Sequence, residues 1–204
     1  MDSKSHTKVA RTLLGYMEEK LGVRFDVSGF LHGNLRPDLR CEYVRREGRH
    51  YPSLRFEEVM QKIVDFTQTY KIRPDDNNRE LSGDLGEILH YITDFFCFPH
   101  NDDIYHRNLF AHYIYEKHMT LLINKIISDK KYRTWVKELS VPFTVDALIS
   151  RIRKLHEKYR TQVMHTIQDD VMHVCKVCTM VAMSIVSITF EAVNGEAHPR
   201  EMLA

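Results

Sequence analysis

Apolar residues recur at helical spacing along most of the chain. Val9, Leu13, Met17 and Leu21 follow one another at steps of four, and Gly22 ends the run. Such spacing places side chains on one face of an α-helix, and a glycine after the last apolar residue is a common helix stop. The same pattern predicts further helices over residues 56–66, 85–92, 103–127, 146 onwards and 171–188. Convincing strand patterns are missing from the sequence, which therefore favours an all-α fold.

Candidate caps and turns divide these helices. Ser53, Ser82 and Thr144 each precede an apolar run, and a hydroxyl in that position caps a helix by accepting a backbone N–H. Gly33 and Pro37 predict a turn within residues 30–38, because both residues favour turn conformations. We therefore expect about seven helices, packed as a single-domain multi-helix bundle that spans residues 1–204.

The longest stretch without a charged residue runs from residue 177 to residue 190. It is shorter than the about 18–20 residues that a membrane span requires, so we interpret it as a buried helix and expect no transmembrane segment. Cys175 and Cys178 lie beside and within it, and we interpret them as buried reduced thiols rather than as a zinc or redox site. Residues 1–8 lack the apolar run of a secretory signal, so the chain as given is expected in the cytoplasm. Earlier removal of a signal peptide would instead make the protein secreted.

Charge balance limits the classes of partner. The chain has 29 basic and 28 acidic residues and a formal charge of +1. A nucleic-acid-binding surface needs a basic stripe with interleaved aromatic residues, and the sequence contains none. Composition therefore argues against a nucleic-acid substrate. The unusual feature is the presence of 12 histidines, whose positions have to decide whether they are ligands or ordinary polar residues.

Two histidine–carboxylate pairs stand out among apolar and aromatic neighbours. His90 and Asp94 are four residues apart on one predicted helix, and His112 and Glu116 are four apart on the next. His100 lies on the break between the two helices. Side chains at i and i+4 share one helix face, so each pair can reach one metal ion. Spacing alone leaves open an alternative in which these residues form only hydrogen bonds inside the bundle.

Several motifs resemble the bacterial zinc-dependent phospholipase C family. Residues 89–101 (Leu-His-Tyr-Ile-Thr-Asp-Phe-Phe-Cys-Phe-Pro-His-Asn) are similar to its central motif, in which His-x-x-x-Asp, a later His and then His-x-x-x-Glu supply metal ligands. Residues 33–38 (Gly-Asn-Leu-Arg-Pro-Asp) resemble the family's Gly-x-x-x-Pro-Asp turn, whose Asp is a ligand. The resemblance spans residues 6–116 and implies a metal cluster in a cleft between helices. The implied ligands are His6, Asp38, His50, His90, Asp94, His100, His112 and Glu116.

The resemblance implies two or three zinc ions. One zinc would be bound by Asp38, His50, His90 and Asp94, a second by His100, His112 and Glu116, and a third by His6 and Asp94. Secreted members complete the third site with a mature N-terminal Trp. This chain begins at Met1 and its single tryptophan is Trp135, so we expect the third site to be incomplete or to use other groups.

The resemblance also implies a reaction. We expect zinc-dependent hydrolysis of a phosphodiester, of the phospholipase C type, in which metal-activated water cleaves a phospholipid head group and Asp38 acts as general base. The substrate would be a phospholipid or another phosphodiester, with transient contact to a membrane surface. Two alternatives stay open at this stage: a non-catalytic or regulatory metal-binding helical protein, and a related zinc-dependent single-strand nuclease.

Overall fold

The computed structural model describes most of the chain. The described residues are 1–40, 45–46, 49–50, 55–76, 78–101, 103–106 and 108–191, with the backbone alone at 45–46, 49–50 and 75–76.

The described part is all-α, as the sequence predicts. Its eight α-helices are α1 (Ser3–Leu21), α2 (Val27–Arg40), α3 (Phe56–Thr69), α4 (Arg79–Phe95), α5 (Leu109–Ser128), α6 (Tyr132–Val136), α7 (Val145–Arg160) and α8 (Ile167–Thr189). A single 3₁₀ turn (Phe98–His100) joins α4 to α5. Two-residue strands form two small pairs: β1 (Arg24–Phe25) runs parallel to β4 (Asp75–Asp76), and β2 (Arg45–Arg46) antiparallel to β3 (Arg49–His50).

Helix α8 lies in the hydrophobic core of the bundle. It packs against α4, α5, α6 and α1, and nearly all of its last four turns is buried. The helix is long and apolar enough to cross a membrane by length and composition, but 78% of its apolar window is buried inside the protein. Cys175 and Cys178 are both buried and free. The interpretation of this segment as a buried core helix with reduced thiols is therefore confirmed.

The expected turn at residues 30–38 is wrong, because these residues lie inside α2. The Asp26 side chain accepts a hydrogen bond from the backbone N–H of Gly29 and so caps the start of this helix. Pro37 falls in the last turn, close to the end of the helix. Gly33 serves helix packing rather than a turn: a Cβ placed there would lie 1.9 Å from the Gly83 carbonyl oxygen of α4.

Close contact between α2 and α4 depends on these small residues. A Cβ at Gly86 would lie 2.2 Å from the Phe30 carbonyl oxygen, well inside van der Waals contact. The side-chain amide of Asn34 donates to the Gly86 carbonyl oxygen at 3.0 Å and adds a polar link at the same crossing. Glycines therefore let the two backbones touch, which places α2 directly against the histidine-bearing face of α4.

Helix boundaries differ from the sequence-based expectation at two places. Ser82 is not a cap, because α4 begins at Arg79 and Asn78 accepts the capping hydrogen bond from the backbone N–H of Leu81. The helix expected from residue 103 begins only at Leu109, with Asn108 as its cap. Thr144 is the N-cap of α7, as predicted. Ser53 lies outside the described residues.

Candidate metal centre

Three buried side chains meet where α1 passes α4. His6 comes from the first turn of α1, and His90 and Asp94 lie one turn apart on α4. The Nε2 atom of His6 lies 3.1 Å from Oδ1 of Asp94, and Nε2 of His90 lies 3.3 Å from Oδ2. The two imidazole rings stack with centroids 3.9 Å apart. One ligand atom of each residue lies within 4.8 Å of the others, and we call these three residues the inner group.

A second set of three lies at the start of α5. His112 and Glu116 are one turn apart on this helix, and His100 ends the 3₁₀ turn that precedes it. The Glu116 Oε1 atom is 3.1 Å from Nε2 of His100 and 3.3 Å from Nε2 of His112. The ligand atoms again lie within 4.8 Å of one another. We call His100, His112 and Glu116 the outer group, because the side chains of His112 and Glu116 are 16% and 17% exposed.

Asp94 and His100 join the two groups. Oδ1 of Asp94, the oxygen that faces His6, also lies 2.9 Å from Nδ1 of His100. His100 therefore contacts a carboxylate of each group through its two ring nitrogens. The groups are adjacent parts of one polar cluster inside an otherwise apolar bundle.

A positive charge already lies between the carboxylates of the cluster. The buried α-amino group of Met1 is 2.8 Å from Oδ1 of Asp94 and 3.2 Å from Oε1 of Glu116. Burial opposes its charge, but the Asp94 and Glu116 carboxylates hold the pKa of this amino group well above its usual range. The amino group contacts the same oxygens that would bind a metal cation, so the carboxylates are arranged to surround positive charge.

The protonation states of Asp94, Glu116 and His6 suit metal binding, whereas the Asp94 carboxylate raises the pKa of His100 against the effect of burial. Burial would raise the pKa of Asp94, but His100 and the Met1 amino group hold it well below its usual range. The pKa of Glu116 is also lowered far, against the effect of burial, by the Met1 amino group and by His100 and His112. Burial and the neighbouring His90 lower the pKa of His6 to about 4. At neutral pH, ionised carboxylates therefore face a neutral imidazole, and these are the forms that ligate zinc.

The orientation of His90 is fixed from α2. Its Nδ1 atom lies 2.7 Å from the backbone carbonyl oxygen of Asn34. A carbonyl can only accept, so Nδ1 carries the proton and donates it, and the lone pair of Nε2 points into the inner group. A hydrogen bond of this kind is the usual second-sphere support of a metal-binding histidine.

Unsatisfied polar atoms supply the test of fit for a metal. Among the described residues, His6 Nδ1, His90 Nε2 and Asp94 Oδ2 are buried atoms without a hydrogen-bond partner. Leaving such atoms unpaired is costly, and removing water from a carboxylate costs more still. A cation would satisfy the imidazole lone pair and the carboxylate oxygen together. The donor set of nitrogen and oxygen atoms fits zinc.

Asp38 lies at the edge of the inner group. The side chain of His50 is outside the described part of the chain. Oδ1 of Asp38 lies 3.9 Å from Nε2 of His90, and its Oδ2 accepts a hydrogen bond of 3.0 Å from the Ser3 hydroxyl. The backbone of His50 lies in strand β3 opposite Arg45. The geometry thus pairs His90 with His6 and Asp94 first, and with Asp38 at longer range.

Three residues that support the cluster were not predicted from the sequence. Asn34 acts through its backbone carbonyl, which carries no side-chain signal. Asn101 and His156 form a buried hydrogen bond of 3.0 Å behind the 3₁₀ turn, but 55 residues separate them in sequence. An asparagine directly after a proline–histidine break was the one local signal that could have indicated a structural role.

The family model for zinc-dependent phospholipase C matches residues 5–166. The match includes both groups described above, α1 from its third residue onwards, α2 to α7 and the turn that carries His100. No curated protein and no solved structure matches the chain. Since the matched segment covers well over half of the sequence, the chain belongs to the zinc-dependent phospholipase C family.

Proposed function

We propose that this protein is a zinc-dependent phosphodiesterase that cleaves phospholipid head groups. The observation that carries the proposal is the pair of adjacent groups, each with two histidines and one carboxylate within 4.8 Å. Each such set has the donor chemistry of a zinc site, and the second is partly open to solvent. The family match supports the zinc dependence and the class of substrate.

The two groups would divide the task between them. When bound, zinc supplies Lewis-acid activation of water and neutralises charge on the phosphoryl oxygens. His6, His90 and Asp94 would hold the deeper ion, and His100, His112 and Glu116 would hold the ion nearer to solvent. Two or three ions remain part of the proposal, with Asp38 and His50 as further ligands and with other groups completing a third site at His6 and Asp94.

Asp38 is the proposed general base. Its side chain is 23% exposed and lies beside the enclosed inner group, and the Ser3 hydroxyl donates a hydrogen bond to Oδ2. The Oδ1 atom faces His90 at 3.9 Å, so Asp38 can accept a proton from a water molecule at the cluster without being its closest ligand. General base catalysis commonly contributes about 10²–10⁴-fold to rate.

Activity and zinc content of matched histidine variants test the function. We expect the wild type to bind zinc and to hydrolyse a soluble phosphocholine ester and phosphatidylcholine. His112→Ala should lose the activity and part of the zinc while its helical circular dichroism stays almost unchanged. His118→Ala is the control, because His118 is exposed on the same helix and lies outside both groups.

Substrate choice separates this proposal from its rivals. The same activity assay is run with single-stranded DNA beside the phosphocholine ester. Preferential cleavage of DNA would indicate that the protein is a nuclease and not a phospholipase. Zinc bound at full occupancy, with neither substrate hydrolysed, would instead indicate a non-catalytic metal-binding protein. Full activity of His112→Ala would show that catalysis does not depend on the outer group.

Exposed apolar residues near the outer group support contact with a lipid surface. Phe110 is 73% exposed and Leu109 62%, while Tyr113 and Ile114 continue the exposed surface over the next turn. His112 belongs to the same turn of α5. Lys117 lies over the Tyr113 ring at 5.1 Å, and aromatic rings with nearby lysines are typical of the membrane interface. We propose that this part of α5 touches the lipid surface during catalysis.

Sedimentation with phosphatidylcholine vesicles tests the lipid contact in the presence of a chelator, which prevents hydrolysis. Phe110→Ser should reduce vesicle binding by about 10–100-fold, because burial of a phenylalanine side chain contributes about 1.5–3 kcal/mol. Its activity on a soluble, monomeric phosphocholine ester should stay at the wild-type level. Val27→Ser is the control, since Val27 is also exposed but lies at the start of α2. Equal binding by the wild type and Phe110→Ser would refute the contact.

A further inference from the structure

A buried carboxylate lies behind the outer group, on a helix that carries none of its residues. Asp170 is in the first turn of α8 and has no exposed surface. It follows the last residue of the family match by four positions. Burial of a carboxylate is costly unless hydrogen bonds replace its water. The fold must therefore supply hydrogen-bond donors to the buried Asp170 carboxylate.

Asp170 accepts three hydrogen bonds from three different segments. Its Oδ2 atom accepts from the backbone N–H of Phe98 at 2.7 Å and from the Tyr115 hydroxyl at 2.9 Å. Its Oδ1 atom accepts from the Tyr159 hydroxyl at 2.7 Å. One side chain thus ties α8 to the 3₁₀ turn, to α5 and to α7. These donors replace part of the lost hydration, although burial still raises the pKa of Asp170 to about 7.

Two of the three donors belong to the segments that carry the outer group. Phe98 begins the 3₁₀ turn that ends at His100, and Tyr115 directly precedes Glu116 on α5. Both donate to the same oxygen atom, Oδ2 of Asp170, which therefore fixes the position of one relative to the other. The third donor, Tyr159, lies on α7, which contributes no residue to either group.

We propose that Asp170 is a positioning residue of the outer group, which sets His100 and Glu116 at the separation that binds a metal ion. The inference rests on the proposed role of this group as a zinc site, and it concerns a residue outside the matched segment. Asp170 acts through the backbone of Phe98 and the hydroxyl of Tyr115. It is not placed to touch the metal or the substrate.

The other end of the 3₁₀ turn has a separate anchor. The Asn101 side-chain amide donates to the carbonyl oxygens of Phe95 and Cys97 at 3.2 and 3.0 Å, and its oxygen accepts from Nε2 of His156 at 3.0 Å. This anchor holds the turn to α4 and α7 only. Asp170 joins the turn to α5 by a different route, because the Phe98 N–H and the Tyr115 hydroxyl donate to the same carboxylate oxygen. Cys97 and the ring of Phe98 also contact α5, at Met119 and at the Tyr115 ring.

Cobalt binding to the metal-free full chain tests the assignment. Co²⁺ bound by histidine and carboxylate gives a visible absorption band, and the part of this band that is lost in His112→Ala reports the outer group. Tyr115→Phe should weaken Co²⁺ binding there by about 10-fold and Asp170→Ala by about 10–100-fold, which is the usual effect of losing a second-sphere partner. Asp170→Asn should restore most of the affinity, because its amide oxygen can still accept from Phe98 and Tyr115.

Tyr159→Phe is the matched control. It also removes one hydrogen bond to Asp170, and its cost in the free energy of unfolding should equal that of Tyr115→Phe. It should leave Co²⁺ binding at the outer group unchanged, because the Tyr159 hydroxyl donates to Oδ1 and not to Oδ2, the oxygen that holds Phe98 and Tyr115, and phenylalanine keeps the ring contact with Phe96. This difference separates positioning from general loss of stability. The tyrosine pair decides the question even where Asp170→Ala does not fold.

Two results would overturn the assignment. The first is equal weakening of Co²⁺ binding by Tyr115→Phe and Tyr159→Phe. The second is a folded Asp170→Ala variant that binds Co²⁺ as the wild type does. Either result can occur in a wild-type protein that hydrolyses phospholipid, so the positioning role can fail while the proposed function stands. A wild type that binds Co²⁺ at the outer group without hydrolysing any phospholipid would overturn the function alone.

Discussion

The inner and outer groups contain the same ligand types in different surroundings. Each has two histidines and one carboxylate. The inner group is fully enclosed by α1, α2 and α4, whereas the outer group is partly exposed at the start of α5. The inner group receives its support from helices that pack through glycine. The outer group receives its support from a short turn and from α7 and α8 behind it.

We infer from this difference that the inner group mainly stabilises the fold and that the outer group mainly takes part in catalysis. An enclosed set of ligands binds an ion tightly and stabilises the helices that supply them, because binding energy adds to folding energy. A partly open set leaves room for water and for a substrate phosphate. We therefore expect changes at the inner group to affect stability and activity together, and changes at the outer group to affect mainly activity.

The largest loss of stability is expected from a substitution at the contact of α2 with α4, which supports the inner group. Gly33→Ala places a Cβ 1.9 Å from the Gly83 carbonyl oxygen, so α2 and α4 must move apart and the Asn34–His90 hydrogen bond must lengthen. We expect the free energy of unfolding to fall by at least about 3 kcal/mol, the upper range for overpacked positions. Urea unfolding of the metal-free protein measures the loss.

Gly15→Ala is the control for this change. Gly15 lies in α1, and a Cβ there meets nothing within 4 Å. Alanine should leave stability unchanged or raise it by up to about 1 kcal/mol, since it is the better helix former. A Gly33→Ala protein as stable as the wild type would show that the close contact of α2 and α4 does not hold the inner group.

The second prediction compares one histidine from each group. His90→Ala leaves a buried cavity and an Asn34 carbonyl oxygen without its donor, so the metal-free protein should lose about 2–4 kcal/mol. His112→Ala removes a partly exposed side chain and should cost less than about 1 kcal/mol. Both variants should lose phospholipid hydrolysis. Equal losses of stability in thermal or urea unfolding would contradict the division between the two groups.

The third prediction concerns the support behind the outer group. Burial lowers the pKa of His156 to about 4, below the value of about 6.5 in an unfolded chain. The unfolded chain therefore binds a proton at higher pH than the folded protein. The stability that neutral His156 contributes is present above pH 6.5 and is lost as the pH falls towards 4, up to about 3 kcal/mol in all.

His156→Gln tests this pH dependence. Glutamine can still donate to Asn101 but does not titrate, so the free energy of unfolding of the metal-free variant should fall less between pH 6.5 and pH 4 than that of the wild type. The difference in free energy of unfolding between the variant and the wild type gives the contribution of His156 alone. The other histidines, including His6, whose pKa is also about 4, contribute equally to both proteins. Identical pH profiles would show that His156 is not held neutral by the fold.

The helices and the two ligand pairs could be predicted from the sequence, because both depend on local spacing. Thr144, Gly22 and the stripe of α1 give clear local signals, and residues at i and i+4 share a face whatever the rest of the chain does. The turn expected around Gly33 shows the limit. A glycine that permits close helix packing and a glycine that permits a turn look alike until the partner helix is known.

Support from distant parts of the chain could not be predicted in the same way. Asp170 reaches Phe98 and Tyr115 across more than fifty residues, and Asn34 fixes His90 through a backbone atom. Neither contact leaves a periodic trace in the sequence. Pairing of His6 with His90 likewise follows from the crossing of α1 and α4. Long-range geometry of this kind requires the folded structure.

Zinc content, measured together with phospholipid hydrolysis, tests most directly whether the inner and outer groups are zinc sites of an enzyme. The protein is purified without added zinc, and its metal is determined by elemental analysis beside the His112→Ala variant. We expect at least two zinc ions per wild-type chain, one for each group, and a variant with less zinc and no activity. A wild-type protein that is folded, free of zinc and unable to take it up would contradict the account.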